Sequence, residues 1–211
     1  MATVKLIVFD LGRVLVRICD DWHHAAEVAG LSGQFPEADP ISRAVMGELS
    51  VLCEIGAINH AMFCRRVAHL FNVPTAHVEK ISEAYLLCPY DGAAALIDDL
   101  RRAGVRTAAL SNTNSRHWEL MTASPSPIAE LLQKLDHRIT SFQAGLRKPD
   151  AQIFAHVERL AGATGAQILF FDDVLDNVAA AQTQGWDAVL VTNRDDPVSQ
   201  IRTALGESGI L

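Results

Sequence analysis

Five short apolar runs recur along the chain, and they constrain its fold more than any other feature of the sequence. They are rich in β-branched residues, and polar or turn-forming residues stand at their ends. The runs lie at residues 4–9, 105–110, 138–142, 167–171 and 187–191. Helical patterns lie between several of them, at residues 92–102, 149–160 and 176–184. Strands that alternate with helices form parallel sheets covered on both faces, so the sequence predicts an α/β fold.

The segment from about residue 18 to residue 88 interrupts this alternation. It contains no convincing strand, and residues 57–71 carry apolar side chains at the three- and four-residue spacing of an amphipathic helix. We therefore predict a helical cap inserted after the first strand. The predicted core domain consists of residues 1–16 and 89–211, and the predicted cap consists of residues 17–88. Trp22, where the cap leaves the core, is a candidate substrate contact.

The composition excludes several classes of protein and of partner. A net charge of −7 argues against nucleic acid and against anionic membranes, which select for basic surfaces. No apolar stretch reaches the ~18 residues of a membrane span, and the first residues lack the pattern of a signal peptide. The four cysteines form no C-x-x-C pair, which is typical of free thiols in a reducing compartment. We predict a cytoplasmic protein, and either a monomer or a homodimer is compatible with the sequence.

Polar residues follow three of the apolar runs, where an open parallel sheet binds its ligands. They are Asp10, Ser111 with Asn112, and Asp172 with Asp173. Lys148 directly precedes the predicted helix at residues 149–160, which has Pro149 in its first turn. A carboxylate can attack phosphorus, further carboxylates suit Mg²⁺, and a lysine can neutralise the developing charge. These residue types predict phosphoryl transfer on a small phosphorylated molecule.

Four segments in order resemble the motifs of the haloacid dehalogenase superfamily, most of whose members are phosphatases. They are Phe9-Asp10-Leu11-Gly12-Arg13-Val14-Leu15, Leu110-Ser111-Asn112-Thr113-Asn114, Arg147-Lys148-Pro149-Asp150 and Phe171-Asp172-Asp173-Val174-Leu175-Asp176-Asn177. The residues of these motifs resemble those of the branch of the family that contains glucose-1-phosphate phosphatases and the N-terminal phosphatase domain of soluble epoxide hydrolases. That branch has a small helical cap after the first motif, and Glu54-x-Gly56 fits it. The resemblance implies a Rossmann-like three-layer core with five parallel strands in the order 3-2-1-4-5.

The resemblance also implies a role for each matching residue. Asp10 would be the nucleophile and a magnesium ligand, together with Asp173 and the backbone carbonyl of Gly12. Ser111 and Asn112 would bind phosphate, and Lys148 would bridge the nucleophile and the phosphate. Asp172 and Asn177 would support this set, although Asn177 could equally cap the following helix. The implied cofactor is Mg²⁺, and the implied substrate is a small phosphorylated metabolite such as a sugar phosphate.

Gly12 departs from the common form of the first motif. Most members of the family have a second Asp there, which protonates the leaving group and later activates water. Loss of such a group generally costs ~10²–10⁴-fold in rate. A leaving group of low pKa, such as a sugar hemiacetal, would need that acid least.

Two alternatives remain open on the sequence. A 2-haloacid dehalogenase would use the same nucleophile on carbon without magnesium, although the adjacent carboxylates Asp172 and Asp173 argue against it. The other alternative is a phosphate-binding or regulatory protein that has lost turnover with the second Asp.

Overall fold

A computed structural model describes residues 3–211 of the chain and contains two sheets. The seven strands are β1 (Leu6–Phe9), β2 (Val16–Ile18), β3 (Leu86–Pro89), β4 (Arg106–Ser111), β5 (His137–Thr140), β6 (Ile168–Asp172) and β7 (Asp187–Leu190). The larger sheet has five parallel strands in the order β5-β4-β1-β6-β7. Counted within the core alone this order is 3-2-1-4-5, so the predicted α/β fold and its strand order are confirmed.

Eleven α-helices accompany the strands in the described part of the chain. They are α1 (Trp22–Val28), α2 (Pro40–Glu54), α3 (His60–Phe71), α4 (Thr75–Ala84), α5 (Ala93–Arg102), α6 (Ser115–Thr122), α7 (Pro127–Gln133), α8 (Ser141–Ala144), α9 (Ala151–Ala161), α10 (Leu175–Thr183) and α11 (Pro197–Glu207). A short 3₁₀ turn, Gly165–Gln167, precedes β6. Among residues 3–211, none of these helices is both long and apolar enough to cross a membrane.

The central strand β1 is buried on both faces, which explains its continuous apolar sequence. Successive side chains of a strand point to opposite faces, so Ile7 and Phe9 enter one core and Leu6 and Val8 the other. Helices α5, α7 and α11 cover the first face, and α9 with α10 covers the second. Each fully buried apolar side chain of this kind contributes about 1.5–3 kcal/mol. Burial on both faces therefore fixes β1, and with it the position of Asp10.

Among the predicted element boundaries that differ from the structure, two lie next to the polar residues of the sheet edge. The strand predicted at residues 138–142 ends at Thr140, because Ser141 begins α8 and its hydroxyl bonds to the backbone of Thr113. The helix predicted to contain Pro149 in its first turn begins only at Ala151. The backbone N–H of Asp150 donates to the carbonyl of Arg147 at 2.9 Å, so residues 147–150 form a turn outside the helix.

The inserted segment folds as helices α1–α4 around a small core of its own, which includes Phe35, Phe63, Val67 and Ile81. The prediction that this segment contains no strand is wrong, since β2 and β3 pair antiparallel where the chain leaves and rejoins the core. The signal was weak because each of these strands is short and only partly buried. The predicted cap boundaries, residues 17 and 88, lie within this two-stranded ribbon.

Two sets of contacts hold the cap against the core. On one side, Glu54 pairs with Arg147 at 3.0 Å, and Gly56 lies so close to the core that an added Cβ would stand 2.9 Å from the carbonyl oxygen of Phe142. The positive φ of Gly56, 72°, also favours glycine there. On the other side, Glu83 of α4 pairs with Arg116 of α6 at 2.9 Å. The cap is thus fixed over the carboxyl ends of the strands from two directions.

Candidate active site

The ends of three neighbouring strands bring the predicted polar residues together. Asp10 follows β1, Ser111 ends β4, and Asp172 ends β6, with Asp173 directly after it. Because β4, β1 and β6 are adjacent and parallel, their carboxyl ends lie at one edge of the sheet. These four residues therefore reach one edge from positions that are far apart in sequence.

Lys148 lies at the centre of this arrangement, although it belongs to no strand. Its Nζ donates to Asp10 Oδ1 at 2.6 Å and to Asp172 Oδ2 at 2.7 Å, and its side chain is only 1% exposed. Burial by itself would lower the pKa of Lys148, but the charges of Asp10 and Asp172 outweigh it and raise the pKa above its ordinary value. The ammonium group therefore stays charged between two carboxylates, where a buried charge needs such partners.

Asp172 holds Lys148 in place, and both of its carboxylate oxygens already accept hydrogen bonds. It is fully buried, and Asn177 Nδ2 donates to Oδ1 at 3.0 Å and to Oδ2 at 3.1 Å. The backbone N–H of Val174 adds a bond to Oδ1 at 2.8 Å. The side chain of Asn177 thus supports Asp172, while Val174 occupies the N-cap position of α10. Asn177 therefore bonds to the carboxylate of Asp172 and does not cap the helix.

Asp10 has one committed oxygen and one that is open. Lys148 occupies Oδ1, whereas Oδ2 makes no hydrogen bond with the described residues. Burial is the main cause that raises the pKa of Asp10 well above its ordinary value, and the nearby charges of Asp172 and Asp173 add to it against Lys148. A nucleophilic carboxylate must be ionised, so a further cation beside Asp10 would favour its reactive form.

Asp10, Gly12 and Asp173, whose oxygens are the predicted Mg²⁺ ligands, all line one cavity. Burial, followed by the charge of Asp172, raises the pKa of Asp173, and both effects would be relieved by a bound cation. Among residues 3–211, no group of three or more His, Cys, Asp or Glu side chains is arranged as a metal site. The predicted set needs only two carboxylates, because a backbone carbonyl and water supply the remaining oxygens that Mg²⁺ prefers.

The second motif contributes two residues with different surroundings. Ser111 is buried, lines the cavity above the sheet edge, and its hydroxyl makes no hydrogen bond with the described residues. Asn112 instead uses both ends of its amide on the backbone of Lys148, donating to the carbonyl and accepting from the N–H, each at 2.9 Å. Ser111 is free to contact phosphate, whereas the side chain of Asn112 positions the turn that carries Lys148. A phosphate contact from that amide would have to come from the second hydrogen of Nδ2.

The side chain of Ile18 lies against Gly12, beside the position where the Cβ of the second Asp of the first motif would be. A Cβ added to Gly12 would stand 3.1 Å from Ile18 Cδ1 and 3.9 Å from Asp10 Oδ2. The following residue, Arg13, has a φ of 58°, and its guanidinium donates to the carbonyls of Cys19 and Asp20 at 3.1 and 3.0 Å. The resemblance alone could not show that Ile18 occupies this space, because Ile18 comes from the strand that enters the cap.

A cavity of ≈ 380 Å³ lies between the sheet edge and the cap, and Asp10, Ser111, Lys148 and Asp173 are part of its lining. Trp22, the candidate substrate contact, lines it too, and so does Glu54. The sequence interpretation missed several further lining residues, which have no motif of their own. They include Ile18, Phe63, Ser82, Tyr85, Leu86 and His117.

His117 is a core residue whose contacts come from the cap. Its Nε2 lies 2.9 Å from the carbonyl oxygen of Ser82 and 3.1 Å from the Ser82 hydroxyl, which in turn lies 2.9 Å from His60 Nε2. A carbonyl only accepts, so Nε2 of His117 carries the proton. Burial lowers the pKa of His117 to about 4, which keeps the imidazole neutral. The spacing of the histidines in the sequence does not predict this contact.

The chain is similar to known proteins in sequence and in fold. A family model described as haloacid dehalogenase-like hydrolase matches residues 4–206. The chain is 29% identical over 94 residues to the sesquiterpene phosphatase astK of Aspergillus oryzae, a match that covers 41% of this chain and 48% of that protein. It is 29% identical over 104 residues to the phosphatase MT3486 of Mycobacterium tuberculosis, covering 48% of this chain and 46% of that protein. The chain spans about half the length of these curated relatives.

A solved structure covers nearly all of the chain. The HAD family enzyme bt-2542 from Bacteroides thetaiotaomicron is similar with a TM-score of 0.78 at 20% identity, over 95% of this chain and 100% of that one. A magnesium complex of the same enzyme has a TM-score of 0.76 at 21% identity. At this identity the likeness shows a shared fold.

Proposed function

Because the chain belongs to the haloacid dehalogenase-like hydrolase family, we propose that it is a Mg²⁺-dependent phosphatase acting on a small phosphorylated metabolite. One observation carries the proposal. Lys148 Nζ lies within 2.7 Å of both Asp10 and Asp172, and it leaves the second oxygen of Asp10 open to the cavity. A carboxylate held by a buried cation, with one free oxygen beside an open hydroxyl at Ser111, suits nucleophilic attack on a phosphoryl group.

The residues support a two-step reaction. Asp10 attacks phosphorus in line, the bond from phosphorus to the leaving oxygen breaks, and an aspartyl-phosphate forms. Water then attacks phosphorus, inorganic phosphate leaves, and the carboxylate of Asp10 is restored. Lys148 neutralises charge on Asp10 and on the transferring group, while the Ser111 hydroxyl donates to a phosphoryl oxygen.

Asp10, Asp173 and the carbonyl of Gly12 are the groups that would hold Mg²⁺. When bound, the ion would supply positive charge for the phosphoryl oxygens and orient them. The donor chemistry favours it, as does the raised pKa of both carboxylates, which a cation would reverse. The magnesium complex of the structurally similar enzyme bt-2542 is consistent with this assignment.

The absence of an acid at Gly12 bears on the substrate. Residue 12 is glycine and has no carboxylate, so the leaving oxygen must take its proton from water or depart as a stable anion. We propose that leaving groups of low pKa react fastest, because they need an acid least. Sugar phosphates linked through the hemiacetal oxygen, as in the branch that the motifs resemble, meet this condition on the pKa of the leaving group, and one relative is named a sesquiterpene phosphatase.

The test is phosphate release from a panel of phosphomonoesters, measured with Mg²⁺ and with EDTA, for the wild type and Asp10→Asn. We expect turnover only with Mg²⁺ and a loss of at least about 10⁴-fold in kcat for Asp10→Asn, as for other enzymes deprived of their nucleophile. Full activity of Asp10→Asn would exclude the mechanism.

The same samples separate the two alternatives. Chloride release from 2-chloropropionate that persists in EDTA would identify a dehalogenase. Phosphate binding, measured by calorimetry, without turnover of any ester would identify a binding or regulatory protein.

A further inference from the structure

We propose that the organic group of the substrate is uncharged and predominantly apolar. This inference rests on the proposed phosphatase function and concerns the part of the cavity above the phosphate site. It follows from the side chains that the cap and the ribbon place there, and from the partners that the charged groups of the cavity already have.

The upper wall of the cavity is apolar and aromatic. The cap and the two-stranded ribbon supply most of it, through Ile18, Trp22, Cys53, Phe63, Tyr85 and Leu86. Trp22 packs against Phe63, with ring centroids 6.0 Å apart, so these rings form a packed surface and not separate contacts. A volume of ≈ 380 Å³ is within the usual range of small-molecule sites, about 300–1,000 Å³.

The cations that line the cavity are already engaged. Among the described residues, they are Arg13, Arg147 and Lys148. Arg13 donates to two backbone carbonyls, Arg147 pairs with Glu54 at 3.0 Å, and Lys148 lies between Asp10 and Asp172. Two of these cations are thus held by carboxylates and Arg13 by two carbonyls, so a second phosphate or a carboxylate on the organic group would find no cation free of other partners, and its burial would be costly.

Two of the three hydroxyls of the upper wall, those of Ser50 and Ser82, are engaged as well, and the third, that of Tyr85, has Arg13 beside it. Ser50 donates to the carbonyl of Met46 at 2.9 Å, and the Ser82 hydroxyl lies within hydrogen-bond distance of both His60 and His117. A polyhydroxylated sugar needs several free donors and acceptors to replace its bonds to water. His117 Nδ1, which bonds to none of the described residues, is a single acceptor and would satisfy one hydroxyl.

Ile18 extends the apolar wall down to the reacting groups. Its Cδ1 occupies the space beside Gly12, next to the position from which Asp10 attacks. The first carbons of the leaving group would thus meet a hydrocarbon surface where most members of the family are expected to present a carboxylate. This contact favours an alkyl or aryl group directly after the ester oxygen.

The test compares straight-chain alkyl phosphates from ethyl to hexyl, whose leaving groups have similar pKa values. With Mg²⁺ we expect kcat/KM to rise about threefold to fourfold per methylene group, the factor for burial of one CH₂. We expect 2-phosphoglycolate to fall at least about a hundredfold below propyl phosphate, because its carboxylate would be unpaired.

Three outcomes decide the matter. Alkyl phosphates whose kcat/KM does not depend on chain length, or which react more slowly than 2-phosphoglycolate, overturn the apolar site while the phosphatase function stands. Phosphate release from no compound at all overturns the phosphatase function itself, and the inference with it. A rising series supports both.

Leu86 and Leu87 provide a matched pair of variants. They are neighbours in β3, but Leu86 lines the cavity and Leu87 is exposed to solvent. In Leu86→Gln, kcat/KM should rise by roughly twofold or less per methylene group. In Leu87→Gln, it should rise with chain length as in the wild type.

Circular dichroism checks that both variants fold. If Leu86→Gln does not, Leu86→Ala replaces it and should lower kcat/KM for hexyl phosphate about threefold to tenfold. An unchanged series in the folded Leu86 variant would contradict the inference.

Discussion

At the floor of the cavity, the reactive groups stand on the ends of three neighbouring strands, whereas the cap builds the opposite wall from helices and a short ribbon. The floor is held by charged hydrogen bonds around Lys148, and the wall by apolar packing around Phe63. Under the proposed function, the floor carries out the reaction and the wall selects the substrate. The difference teaches that a change in the floor should abolish turnover, while a change in the wall should change the choice of substrate.

The two regions also differ in how they meet. The floor is continuous with the main sheet and is buried within it. The cap contacts the core through a few separate pairs, Glu54 with Arg147, Glu83 with Arg116, and Ser82 with His117. Arg147 directly precedes Lys148, so the pair with Glu54 joins the cap to the turn that carries Lys148. The position of the cap and the position of Lys148 are thus linked through neighbouring residues.

The largest effect is expected from Lys148→Met in the floor. It removes the cation between Asp10 and Asp172, so we expect kcat to fall about 10³-fold. Two buried carboxylates would then lack their partner, and the free energy of unfolding should fall by about 3–5 kcal/mol without Mg²⁺. Phosphate release and urea unfolding measure the two effects.

Lys134→Met is the control for that variant. Lys134 pairs with Asp98 at 2.8 Å, but both side chains are partly exposed, so its loss should cost no more than about 1 kcal/mol. Comparable losses for the two variants would mean that the floor is held no more tightly than the surface.

A smaller effect is expected from His117→Gln where cap and core meet. The pKa of His117 is lowered to about 4 from 6.5, mainly by burial and next by the charge of His60, while the bond to Ser82 and the charge of Glu83 oppose the shift. Below pH 6.5 the unfolded chain therefore takes up a proton that the folded protein refuses, and stability falls toward pH 4. The full contribution is about 3 kcal/mol, and His117→Gln should remove it.

The check is the free energy of unfolding at pH 7 and at pH 4.5 for both proteins. The loss between these two pH values should be smaller in His117→Gln than in the wild type. His69→Gln, an exposed histidine of α3, should behave as the wild type. An equal loss in His117→Gln would show that the burial of His117 does not set the acid stability.

The sequence predicted the floor much better than the wall, for a physical reason. An apolar run followed by a carboxylate marks the end of a buried parallel strand, and this local pattern is enough to locate Asp10 and Asp172 at strand ends. The strand order then follows from the rules of parallel sheets. Lys148 lies outside the strands, and only its motif predicted a place for it at the site. The motif does not predict that the side chain of Asn112 bonds to the backbone of Lys148.

The wall depends on contacts between residues that no short pattern connects. Ile18 beside Gly12, and Ser82 beside His117, come together only through the packing of cap on core. The ribbon strands β2 and β3 were missed because two short, half-buried strands of antiparallel pairing leave little periodicity to detect. The substrate preference that we infer from this wall could therefore not be predicted from the sequence.

The proposed mechanism depends above all on a covalent intermediate at Asp10, which can be trapped. The enzyme is mixed with a ³²P-labelled phosphomonoester and Mg²⁺, quenched in acid within milliseconds, digested and analysed by mass spectrometry. We expect label on the peptide that contains Asp10 in the wild type, and none in Asp10→Asn. Label on another residue, or label that persists in Asp10→Asn, would contradict the mechanism.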